Sequence, residues 1–89
     1  MMDADQIRAA RALIRWSQAD LSEKSKVSVP TIKRLEGMEG EVTGHATTIA
    51  ALQAALEDGG VIFLDDGGHR EGGPGVRLAK AQAGGRSDD

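Results

Sequence analysis

The stretch from Ser17 to Gly37 is punctuated so closely that it has room for two short helices and the turn between them, and nothing longer. Ser17 reads as a helix N-cap, with Asp20 three residues on in an S-x-x-D variant of the capping box that sets an acid in the positive first turn. The helix it opens runs from about Gln18 to Ser25, and its apolar content is little more than Ala19 and Leu21. The pattern breaks and restarts at Ser28, which caps a further helix whose first turn holds Pro30, a residue with no N–H to lose there. Ile32 and Leu35 point inward; Val29, Pro30, Thr31, Lys33 and Arg34 point outward; Gly37 is the stop. Isolated helices shorter than about 12–15 residues are marginal in water. Both segments must therefore be held by neighbours.

The neighbours are visible on either side. Over about residues 5–16, Ile7, Ala10, Leu13 and Ile14 recur at helical spacing, while Arg8, Arg11 and Arg15 form a separate basic stripe that reads as a solvated face or as phosphate contacts. After a glycine-containing loop, Gly37 to Gly44, a fourth helix is expected over about 45–57, with Ile49, Leu52, Ala55 and Leu56 on its inner stripe and Gly59 and Gly60 at its end. The run Val61, Ile62, Phe63, Leu64 differs in kind: consecutive apolar residues between Gly60 and Asp65 predict a short strand buried on both faces. Val76 to Leu78 is a second short strand. The eleven residues from Asp65 to Gly75 are many for a hairpin loop, where about 2–5 is usual. Whether the strands pair within one chain or only across a dimer is left open at this stage. From Ala79 onward the composition is that of a disordered tail. The expected organisation is a helical domain over 1–60, a strand element over 61–78 and a tail over 79–89.

A chain of 89 residues builds one compact core, and with only 2% aromatic residues that core must be Leu, Ile, Val and Ala around Trp16 and Phe63. This favours a mainly α fold of packed short helices. Without cysteine there is neither a disulfide nor a thiolate metal site. No apolar run is long enough to span a membrane or serve as a signal segment, and a soluble cytoplasmic protein is expected. His45 and His69 stand alone, without a second ligand at metal-binding spacing, and Gly67 to Gly75 lacks the G-K-[ST] ending of a phosphate-binding loop. No nucleophile is paired with a base anywhere. No catalytic residue, metal or cofactor is expected.

The net charge of −3 does not by itself suggest a nucleic-acid partner, but its distribution does. Up to Glu36 there are seven basic residues (Arg8, Arg11, Arg15, Lys24, Lys26, Lys33, Arg34) and five acidic ones. From Gly37 to Gly72 there are seven acids and a single base, Arg70. One surface can attract phosphate while the rest repels it.

Residue by residue, Gln18 to Gly37 (QADLSEKSKVSVPTIKRLEG) resembles the phage-repressor and Cro-like helix-turn-helix, the XRE family. The resemblance rests on Gln18 opening helix 2, Ser22 after the core Leu21, Val27 plugging the turn, Ile32, and the Leu35–Glu36 pair closing helix 3. With the flanking helices it spans roughly Gln6 to Glu57, and it implies a four-helix lambda-repressor-like domain that sets Ser28 to Glu36 in the major groove. Lys26 occupies the turn position usually held by Gly, so it must adopt a left-handed or similarly costly conformation, of order 1 kcal/mol. On this resemblance Gln18 anchors a backbone phosphate, Ser28 and Thr31 bond phosphate or a base edge, and Val29 and Pro30 meet a thymine methyl. Arg34 forks onto guanine, and Lys33 takes a phosphate.

One such module contacts too few phosphates for tight specific binding, so a homodimer on two half-sites about 34 Å apart is expected. The interface candidates are Val61, Ile62, Phe63, Leu64, Val76 and Leu78, in a segment (GVIFLDD…GGPGVRL) that also resembles the C-terminal part of many small bacterial members of the family. The resulting expectation is a homodimeric transcriptional regulator acting on operator DNA, a repressor that occludes a promoter, quite conceivably its own. Two alternatives stand beside it: an antitoxin-like protein using Glu57 to Glu71 as a partner surface, and an interaction module that has lost DNA binding.

Overall fold

A computed structural model describes residues 2–64 and 72–80. The protein is mainly helical, with four helices followed by a two-stranded antiparallel sheet. α1 spans Ala4–Ile14, α2 Gln18–Ser25, α3 Val29–Glu36 and α4 Ala46–Asp58; β1 is Val61–Leu64 and β2 Gly75–Leu78.

Each boundary has a local cause. Ser17 and Asp20 form the expected reciprocal box at the start of α2, the Asp20 N–H donating to Ser17 Oγ and the Ser17 N–H to Asp20 Oδ2, both at 2.9 Å. Ser28 caps α3 with Pro30 in its first turn. Lys26 ends α2 at φ 66°, ψ 21°, the left-handed conformation that its place in the turn demands. α1 begins earlier and ends sooner than its apolar spacing suggests. Asp3 and Gln6 make a second capping box, and Arg15 turns left-handed at φ 61°, which leaves Trp16 outside the helix.

The inner stripes of all four helices meet in one core that includes Ile7, Leu21, Ile32, Leu35, Leu52 and Leu56. Burying an aliphatic side chain of this size stabilises by about 1.5–3 kcal/mol, and it is this shared burial that holds the eight-residue helices α2 and α3. Leu13, expected inside, is 39% exposed. Gly59 follows α4 where a Cβ would lie 2.9 Å from both the Ile14 side-chain methyl and the Trp16 ring, so any side chain there would have to displace one or both. The start of α1 and the residue Met2 before it add a further seam. The Ala4 N–H donates to Gly40 O and the Val42 N–H to Met2 O, which ties the N-terminal residues to the α3–α4 loop.

The two strands pair within the chain in the register Val61↔Leu78, Ile62↔Arg77, Phe63↔Val76 and Leu64↔Gly75. β1 is not buried on both faces as expected. Val61 joins the core and Phe63 packs against it, whereas Ile62, on the opposite face by strand alternation, is 41% exposed. Ala79, placed in the tail by composition, is partly buried, and its N–H bonds Gly60 O at 2.7 Å. Residues 81–89 of the expected tail, and the loop residues Asp65 to Glu71 with His69, lie outside the described residues. No helix among the described residues is long and apolar enough to cross a membrane.

Candidate nucleic-acid interface

α3 has two unlike sides. Its inner residues Ile32 and Leu35 are fully buried, while Pro30, Lys33 and Arg34 are exposed and Val29 and Thr31 half-buried. Neither Lys33 nor Arg34 makes an ion pair among the described residues, so two cations are held on a short rigid helix with their charges uncommitted. Lys33 and Arg34 also lie in the last turn, where they suit the negative end of the helix dipole. Ser28 is already engaged: its Oγ accepts the Thr31 N–H and donates to Thr31 Oγ1 at 3.0 Å. The Thr31 hydroxyl hydrogen remains to be donated outward.

Glu36, the last residue of α3, is an acid at the end of a helix where the dipole disfavours one, and it is only 5% exposed. Its carboxylate is compensated by a two-pronged ion pair from α1, with Arg11 Nε to Oε2 at 2.8 Å and Nη2 to Oε1 at 2.9 Å. Gln18, the first residue of α2, adds a third donor, Nε2 to Oε1 at 3.0 Å. Arg8 donates to the Glu36 carbonyl and pairs with Asp5, while Arg11 Nη1 also reaches the Trp16 carbonyl at 3.0 Å. The Glu36 hydrogen bond and charge raise the Arg11 pKa above its ordinary value against the opposing effect of partial burial, so the guanidinium stays charged.

This network revises two expectations. In the arginine stripe of α1, Arg8 and Arg15 are exposed as a solvated face would be, but Arg11 is half-buried against Glu36 and Arg8 also bonds the end of α3; Arg15 alone of the three makes no ion pair among the described residues. Gln18 sits at the α2 N-terminus as expected, but its side-chain amide is spent on Glu36, which leaves its backbone N–H as the group available to an anion. Glu36 as a junction was missed. The signal was present, an acid closing a helix opposite a helix with three arginines, but a single carboxylate does not name its partner.

Of the six interface candidates, Val61 belongs to the core and Phe63 and Val76 pack against it. Val61 is thereby covered within the chain itself, while Phe63 and Val76 keep part of their surface exposed. Ile62, 41% exposed, and half-buried Leu64 share the sheet face turned away from the core, while Leu78, 52% exposed, pairs with Val61 at the other end of the hairpin on the core-side face.

Neither a model of a known protein family nor a curated protein matches the sequence.

Proposed function

We propose that the protein is a homodimeric DNA-binding transcriptional regulator of the lambda-repressor-like helix-turn-helix kind, a repressor that sets α3 in the major groove. The observation that carries this reading is the exposed face of α3, where Lys33 and Arg34 have no internal charge partner while the opposite face is fixed by Ile32, Leu35 and the Arg11–Glu36 pair. A helix that reads base edges has to be immobile in the protein and open to the outside, and α3 is both. Arg34 presents the fork that matches guanine O6 and N7; Lys33 supplies a phosphate contact; Val29 and Pro30 offer apolar contact to a thymine methyl. Gln18 through its main chain and Thr31 through its hydroxyl fix the register.

Two copies are needed for tight binding, and the hairpin of β1 and β2 joins them through its outer face, with Ile62 and Leu64. Occlusion of a promoter needs nothing beyond this. Arg34→Ala tests the reading: discrimination between a selected site and a scrambled one should fall by about 1–3 kcal/mol. The same ratio of affinities as wild type would remove Arg34 from base readout.

A further inference from the structure

Gln6 lies on α1 and is 3% exposed, yet nothing in the reading above uses it. Every polar atom of its side chain is committed. Oε1 accepts the Asp3 N–H at 2.9 Å within the capping box, and Nε2 donates to two carbonyls far along the chain, Leu64 O at 3.0 Å and Gly75 O at 2.9 Å. Leu64 and Gly75 are partners in the strand register, so one amide grips both strands of the hairpin at the same end. At the other end Ala79 bonds Gly60, and the adjoining Gly59 lies against Ile14. β2 therefore runs beside α1 from Gln6 toward Ile14. Around α1, Gln6 stands roughly 200° from Arg8 and roughly 140° from Arg11, so the hairpin and the end of α3 are held on opposite sides of one helix.

We propose that Gln6 is a positioning residue that sets the separation of the two α3 helices in the dimer, an inference that rests on the dimeric DNA-binding reading. The path is continuous: α3 is fixed to α1 by Arg8 and Arg11 at Glu36, α1 to the hairpin by Gln6, and the hairpin to its copy across the two-fold axis. A tilt of the hairpin on α1 is doubled by that symmetry. Successive base pairs differ by about 3.4 Å and roughly 34° along DNA, so a small tilt is enough to lose the match to a fixed half-site spacing.

The test uses the full chain and DNA that the wild type selects from a random pool, rebuilt with the half-sites moved apart or together by single base pairs. The wild type should bind one spacing roughly tenfold better than its neighbours. Gln6→Met removes the amide without adding charge, so it gives up both donors to Leu64 and Gly75 together with the acceptor for the Asp3 N–H. Its preference for that spacing should fall below about twofold, with binding to an isolated half-site unchanged. Asp3→Ala weakens the same cap but leaves the Gln6 amide on the hairpin, and it should keep the wild-type preference. Should Gln6→Met fail to fold, Gln6→Asn, whose amide sits on a side chain too short to reach both carbonyls, is read in its place. Retention of the wild-type preference by the variant overturns the proposal alone. A wild type that selects no DNA, or binds without any spacing preference, overturns the dimeric DNA-binding reading, and the proposal with it.

Discussion

The two sides of α1 are held by different chemistry. Toward α3 the contact is ionic: the Arg11 guanidinium and the Gln18 amide converge on a carboxylate that the fold has almost removed from water. Toward the hairpin it is neutral, a single amide dividing its donors between two backbone carbonyls. An ion pair taken out of water is costly to break from one side, because the remaining charge has nothing to neutralise it. A neutral clamp that fails leaves two carbonyls of half-buried residues at the loop end of the hairpin, with no charge to neutralise. Removing one polar partner should therefore cost more at the α3 contact than at the hairpin.

The largest effect should come from the ionic side. Glu36→Ala leaves Arg11 without its anion and Gln18 without its acceptor, and it should lower stability by about 3–5 kcal/mol in urea unfolding. Because the Arg11 pKa is raised, the contribution of the Arg11 charge is present below the ordinary guanidinium value and lost as pH climbs past the folded one. The wild type should accordingly show no loss of stability between about pH 7 and 9 on account of Arg11. Next comes Gln6→Met, which should cost about 1–3 kcal/mol and speed amide exchange in β1 and β2 while α1 to α3 keep their protection. Equal losses from the two substitutions, with exchange accelerated everywhere, would break the contrast between the two sides. The smallest effect serves as a reference at neither contact. Lys26→Gly relieves the left-handed backbone at φ 66° and should stabilise by about 0.5–1 kcal/mol, a rise in Tm of roughly 3–6 °C.

The parts of the fold that could be read from sequence are those whose causes lie within four residues of each other. Ser17 with Asp20, Ser28 with Pro30, and the stop at Gly37 mark α2 and α3 because a cap is a local hydrogen bond. Lys26 could be assigned its strained backbone from its place in the turn. The contacts on α1 are of another kind. Gln6 reaches residues 58 and 69 positions away, and Arg11 one 25 positions away, and a lone Gln or Glu carries no mark of which distant group it will meet. The end of α1 was obscured because Arg15 adopts a glycine-like backbone that its side chain does not announce. In β1 the four apolar residues look equivalent from either side, so only the packing onto α1 and α4 separates the inward Val61 and Phe63 from the outward Ile62. The outer face of α3 was legible in its residue types, though not in the fate of the Gln18 amide.

The central claim is that this outward face of α3 meets DNA, and it is tested most directly by gel retardation of a fragment from immediately upstream of the protein's own coding sequence over a range of salt. The account predicts a complex whose log affinity falls linearly with log salt concentration, with a slope made shallower by about one in Lys33→Ala. Absence of any complex at about 50 mM salt, with the protein folded, would contradict it.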